Sequence, residues 1–172
     1  MKKETFQSVT FILAGSLLQM FNGVGSSWTA TLAAIFGIIL FFMGLKKLND
    51  VLDEAGRGAV KMLNISIIIG IVGLVIDLLP GFGLFASIIF VVAFVFELIG
   101  FIKLKSSVSI GEVGKSGVTF LLAAMALAIL TSIIGIVPFL GSVVGSVLSL
   151  VALIFVFFGW LRIQEGLMEN QQ

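Results

Sequence analysis

The chain has 172 residues, 59% of them hydrophobic and only 11% charged, with a formal net charge of +1 and neither Cys nor His. Soluble domains average roughly 45–50% apolar residues, so this composition, with a mean hydropathy of +1.26, belongs to a chain that lives in lipid. The missing Cys and His exclude disulfides, thiolate nucleophiles, Cys/His zinc or haem ligation and every His-based general base.

Stretches free of Lys and Arg cover residues 5–45, 62–102 and 116–161, each long enough for two spans of about 20 residues. The expectation is therefore an all-α polytopic membrane protein, one transmembrane domain over 1–172. Its six helices fall at about 6–22, 27–45, 62–79, 83–102, 117–137 and 140–161. They pair as three hairpins (6–45, 62–102 and 117–161) closed by Asn22-Gly23-Val24-Gly25, Pro80-Gly81-Phe82-Gly83 and Pro138-Phe139-Leu140-Gly141, segments spaced 58 residues apart. Gly accepts positive φ and Pro ends the preceding helix, which suits tight reversals. A fixed period of this length is the mark of stacked supersecondary units.

The first helix begins Met1-Lys2-Lys3 and continues apolar from Val9 to Phe21, the outline of a signal peptide. Ser8, Gly15, Gln19 and Gly25 recur 58 residues on as Ser66, Gly73, Asp77 and Gly83, so the segment reads instead as the first arm of a repeat. In the second arms, Gly141, Gly145 and Ser149 form a small-xxx-small stripe echoed by Gly83, Ser87 and Val91, and by Gly25, Thr29 and Ala33. Helices in lipid associate through close approach at such residues, so these positions are candidate packing seams, or alternatively a homo-oligomer face. After the second helix, Leu45, Leu48 and Leu52 share one face, which predicts a helix running about two turns past the bilayer: a solvated extension, or a docking site for a cytoplasmic partner over Lys46 to Lys61. The later stretch Lys103 to Ser116 is Ser- and Gly-rich and reads as a plain connector.

All ten cations lie at the termini or in the two inter-hairpin stretches, and none lies in a hairpin turn. The positive-inside rule then puts both termini and both long loops in the cytoplasm, and Trp28 and Trp160 fall at opposite predicted ends of the second and sixth helices, where the headgroup layer suits an amphipathic ring. The cations fit anionic headgroups of membrane lipids, and no nucleic-acid patch, phosphate loop or cofactor fingerprint is present.

Carboxylates within spans are costly and mark function by default. Asp77, three residues before Pro80, is either an interfacial group beside the turn or a proton- or cation-carrying one; with its repeat-equivalents Gln19 and Thr131 it could line an outward-facing polar pocket. Glu97 lies about two turns before Lys103, where its repeat-equivalents are Phe41 and Val156. It either pairs with Lys46, Lys61 or Arg162 or serves as a gating or relay carboxylate. Two separated carboxylates and no His give no intramembrane protease constellation, and no metal, cofactor or catalytic set is expected.

Three hairpins with a Pro or Gly turn, Pro80 and Pro138, and the basic exits after Gly44, Gly100 and Gly159 resemble the bacterial acid-resistance membrane protein family (HdeD-like), with Asn22 replacing the first-turn Pro. The resemblance implies six helices in three short repeats and a stress-related inner-membrane role, with no catalytic residues to carry over. The function expected is non-enzymatic: transport or binding of a small or lipidic ligand, or structural support of the membrane, with or without a partner protein.

Overall fold

The computed structural model describes residues 2–20, 27–134 and 140–170, the side chains of residues 2, 19–20, 27–31 and 140–142 excepted. It contains six α-helices: α1 Lys2–Met20, α2 Ser27–Val51, α3 Glu54–Asp77, α4 Gly83–Lys105, α5 Gly111–Ile134 and α6 Leu140–Glu169, with no strand among the described residues. Five of them, α2 to α6, are long and apolar enough to cross a membrane. Helix α1, 19 residues long, carries Lys2, Lys3, Glu4, Gln7 and three hydroxyl residues in its first half and does not meet that measure.

Only the second hairpin turn lies within the described residues; those at 22–25 and 138–139 lie outside them. There, α3 stops before Pro80, which cannot donate to a continuing helix. Gly81 then adopts φ +86°, a conformation Gly takes without steric cost, and the Phe82 amide donates to the Leu79 carbonyl at 3.2 Å.

Helix boundaries at the basic end differ from those expected. Helix α2 runs to Val51, as its apolar face predicted, but α3 begins at Glu54, α5 at Gly111, and α6 continues to Glu169. Hydropathy marks where lipid starts, whereas caps mark where a helix starts. Asp53, with extended backbone (φ −67°, ψ 179°), accepts from the Gly56 amide at 2.9 Å, an N-cap placed two turns ahead of the apolar run.

Each helix packs against two others: α1 with α2, α3 with α4 and α5 with α6 most extensively, then α2 with α3, α4 with α5, and α6 with α1. Six helices thus form a closed ring. Contacts between Gln7 and Lys47 (2.9 Å), Asp53 and Ser107, and Asn170 and Val108 (2.9 Å) gather the start of α1, the α2–α3 and α4–α5 connections and the end of α6 at one end, the end that carries the cations. The buried core also sits in that half: Val9, Ile12, Leu45, Leu48, Leu52, Leu63, Leu104, Val118, Leu121, Trp160 and Ile163. Leu45, Leu48 and Leu52, the apolar face of the α2 extension, are therefore covered by the protein's own helices, leaving Lys46, Asp50, Glu54, Arg57 and Lys61 exposed.

Close backbone approach holds the pairs together. A Cβ on Gly15 would stand 2.6 Å from the Gly37 carbonyl oxygen of α2, and one on Gly117 2.5 Å from that of Gly159 in α6. Gly100 and Gly159 each receive a leucine from the partner arm, Leu63 and Leu121, with Cδ2 2.7 Å from the Cβ position in both cases. One polar bond reinforces the second pair: buried Ser66 donates through Oγ to the Ala93 carbonyl at 2.8 Å. Ser66→Ala is expected to cost about 1 kcal/mol, read from denaturant unfolding in mixed micelles.

Candidate functional site

A cavity of about 490 Å³ occupies the centre of the ring and is lined by residues from all six helices. Its floor lies at the basic end. Trp160, 1% exposed, is flanked by Phe41 and Phe101, each ring centroid 6.1 Å away and steeply inclined (80° and 62°); Leu63 and Leu121 complete that layer. Edge-to-face aromatic contacts of this kind fix ring orientation as well as burying area. Above the floor stand Ile38, Ser66, Ile67, Phe94, Met125 and Val156, and toward the hairpin turns Ser16, Ile71, Leu74, Phe90 and Ala128. Ile71 and Leu74 are exposed, so the described residues form a cup, closed by aromatics at the basic end and open toward the turns.

The lining follows the 58-residue period. Leu63, Ser66, Ile67 and Gly70 of α3 and Leu121, Ala124, Met125 and Ala128 of α5, each pair 58 residues apart, all face it, as do Phe41, Glu97 and Val156, the equivalent positions of α2, α4 and α6.

Glu97 is the carboxylate of this cup, one turn of α4 above Phe101. It makes no hydrogen bond or ion pair with any described residue, Lys46, Lys61 and Arg162 included; the ion pair that is present among described residues joins Glu112 and Lys115 at 2.7 Å. Asp77, by contrast, is exposed at the end of α3, and Thr131 returns its hydroxyl to the Leu127 carbonyl at 2.9 Å. Neither lines the cup, and the Gln19 side chain lies outside the described residues. Of the stripe positions, Gly145 is buried with its Cβ position 3.6 Å from Thr131 Cγ2, Gly83 meets only Asp77 at 4.0 Å, and Ser149, Ser87 and Val91 are exposed; Gly25 and the surroundings of Gly141 lie outside the described residues. The tightest glycine contacts, those of Gly166 with the Ile110 carbonyl, of Gly44 with Ile12 and of Gly117 with the Gly159 carbonyl, are nearer the basic end.

The stretch expected to be a plain connector is a clasp. Asp53 Oδ1 accepts from Ser107 Oγ at 2.6 Å, Oδ2 accepts from the Val108 amide at 2.8 Å, and the Asp53 amide donates to Ser109 Oγ at 2.8 Å. Just after α6, Asn170 Nδ2 donates to the carbonyls of Val108 (2.9 Å) and Ser109 (3.1 Å). Partial burial alone would raise the Asp53 carboxyl, but the donors Ser107, Gly56, Val108 and Ser109 outweigh it and hold the group below the ordinary carboxylate range. Sequence reading passed over this set because Asp, Ser and Asn near a loop are common solvated residues. The available signal was Asp53 three residues before Gly56 at the head of a helical run, a capping pattern.

Compared with known proteins, the chain matches no protein-family model, no curated protein sequence and no solved structure.

Proposed function

We propose that this protein is a non-enzymatic multi-pass protein of a prokaryotic cytoplasmic membrane that holds a small apolar or lipid-like ligand in the cup. In this reading the chain is a thrice-duplicated helical hairpin that crosses the bilayer six times, with both termini and the basic end in the cytoplasm. The 58-residue correspondence of the cup's lining between α3 and α5 supports duplication. The clustering of cations at one end supports the orientation. Helix α1 crosses with two of its hydroxyl residues turned inward, Thr5 and Ser8 being fully buried between neighbours, while Lys3, Glu4 and Thr10 are exposed.

The single observation that carries the function is the cup itself. Its volume lies within the roughly 300–1,000 Å³ typical of ligand sites, and its walls are apolar with few polar groups, as such sites are. The Trp160–Phe41–Phe101 floor closes the path toward the basic end, which favours binding over conduction. The expected ligand enters from the hairpin-turn side.

Trp160 supplies the test. In a Trp28→Phe background the remaining tryptophan lies in the floor, so a brominated long-chain alcohol seated in the cup is expected to quench it saturably. Ala128→Phe, which narrows the mouth, is expected to raise the half-saturation concentration about tenfold or more, since one buried aromatic displaces several favourable methylene contacts of the ligand. Val147→Phe, on an exposed face of α6, is expected to change nothing. Quenching that never saturates, or is indifferent to Ala128→Phe, would refute the binding reading.

A further inference from the structure

We infer that the cup selects amphiphiles with a cationic nitrogen, which sit head-first with the charge at Glu97 and the chain toward the hairpin turns. The inference rests on the binding reading above and adds the charge of the ligand.

Glu97 faces an apolar cavity without a hydrogen-bond or ion-pair partner among the described residues. No Lys or Arg lines the cup; the cations of α2, α3, α4 and α6 lie at the basic end, beyond the aromatic floor. Glu97 is half-buried, and a carboxylate set among apolar walls is retained at low cost where an opposite charge meets it; here that charge can come from the ligand. The second observation is independent of the carboxylate. One turn below Glu97 the floor offers Trp160 with Phe41 and Phe101, and Phe94 and Phe90 continue the aromatic wall of α4. Aromatic faces attract ammonium groups through the ring quadrupole, Trp most strongly. A carboxylate above and a cluster of aromatic rings below therefore favour one headgroup, an alkylated ammonium of modest hydration, and disfavour an anion of the same length. The depth of the cup, from Trp160 to the level of Leu74 and Ala128, is apolar and fits the attached chain.

The probes are matched twelve-carbon amphiphiles competing with the brominated alcohol for Trp160 quenching in the Trp28→Phe protein in nanodiscs: a trimethylammonium, a neutral alcohol, a carboxylate and a phosphocholine. The trimethylammonium is expected to compete at least about tenfold more tightly than the alcohol, the size of one partly desolvated charge contact, and the carboxylate more weakly than either. Glu97→Gln is expected to bring the cation to within about twofold of the alcohol, both measured in that same variant. The phosphocholine identifies the source of the nitrogen. Competition equal to that of the trimethylammonium points to a lipid headgroup, and weaker competition to a free amphiphilic cation.

Equal competition by cation and alcohol in the wild-type cup, or a preference for the carboxylate, would overturn the inference while leaving the cup a binding site. Absence of saturable quenching by any amphiphile would overturn both. The wild-type comparison decides the matter even if Glu97→Gln does not fold.

Discussion

Gly117→Val is expected to destabilise the protein by about 3 kcal/mol, the upper end of the cost of overpacking a close contact. The Cβ it introduces would stand 2.5 Å from the Gly159 carbonyl oxygen and 2.8 Å from the Arg162 Cβ, and the first of these is backbone, which cannot rotate away. Helices α5 and α6 must then separate. Association in lipid has no water-driven apolar term to restore contact at a wider spacing, so the lost dispersion is not recovered elsewhere. Gly159 immediately precedes Trp160, and the separation is felt in the cup's floor: the Trp160 emission is expected to shift to the red and the saturable quenching to weaken. Gly58→Ala is the control. Nothing lies within 4 Å of its Cβ position, and the substitution is expected to stabilise α3 by roughly 0.5–1 kcal/mol through helix propensity alone. Denaturant unfolding of the two variants beside the wild type measures both effects. Equal behaviour of the two would mean that the α5–α6 contact is looser than described.

Asp53→Ala carries the second large effect, a loss of about 3 kcal/mol. Roughly 1 kcal/mol is the N-cap of α3. About 1.5–3 kcal/mol is the charge-assisted bonding to Ser107 and Val108, which ties the α2–α3 connection to the α4–α5 connection. Asp53→Asn keeps the acceptor toward Gly56 and Ser107 but presents an NH₂ where the Val108 amide needs an oxygen, so its cost is expected to be about half as large. The carboxyl is held below its ordinary value in the fold, and the sign of its linkage follows. Its stabilising contribution is complete above the unfolded value of about 3.9 and is lost as pH falls through the lower folded value. Unfolding midpoints of the wild type should therefore fall across that acid window, and the acid limb of Asp53→Asn should be flatter. Parallel acid limbs in the two proteins would remove Asp53 from the clasp.

Much of the fold was legible because two signals are strong in a chain of this kind. Cation-free runs of about 40 residues and the recurrence of Gly and Pro every 58 positions mark out helices and their pairing, and α2's extension to Val51 could be read from the spacing of Leu45, Leu48 and Leu52. The helix starts at Glu54 and Gly111 could not. They are set by Asp53's cap and by Gly111 at φ +59°, local backbone facts that hydropathy does not see. The candidate site was half legible. Glu97 stands out as a carboxylate within a span, but that it faces the common cavity while Asp77 sits outside it depends on the rotation of α3 and α4 about their axes. All-apolar helices do not encode that rotation in a polar stripe, because lipid-facing and inward-facing residues are chemically alike. The close contacts at Gly117 and Gly159 were equally hidden: one Gly among twenty looks like any other until the partner helix is in place.

The absence of native cysteines makes single-cysteine accessibility in sealed, oriented membrane vesicles the most direct measurement of the central claim. A membrane-impermeant thiol reagent is applied to Lys3→Cys, Lys46→Cys, Lys103→Cys and Arg162→Cys at the basic end and to Phe82→Cys in the hairpin turn. The first four are expected to react from the cytoplasmic face alone and Phe82→Cys from the opposite face alone. Reaction of any of the four from the same side as Phe82→Cys would contradict an even-numbered ring of crossing helices with a cup that opens away from its charges.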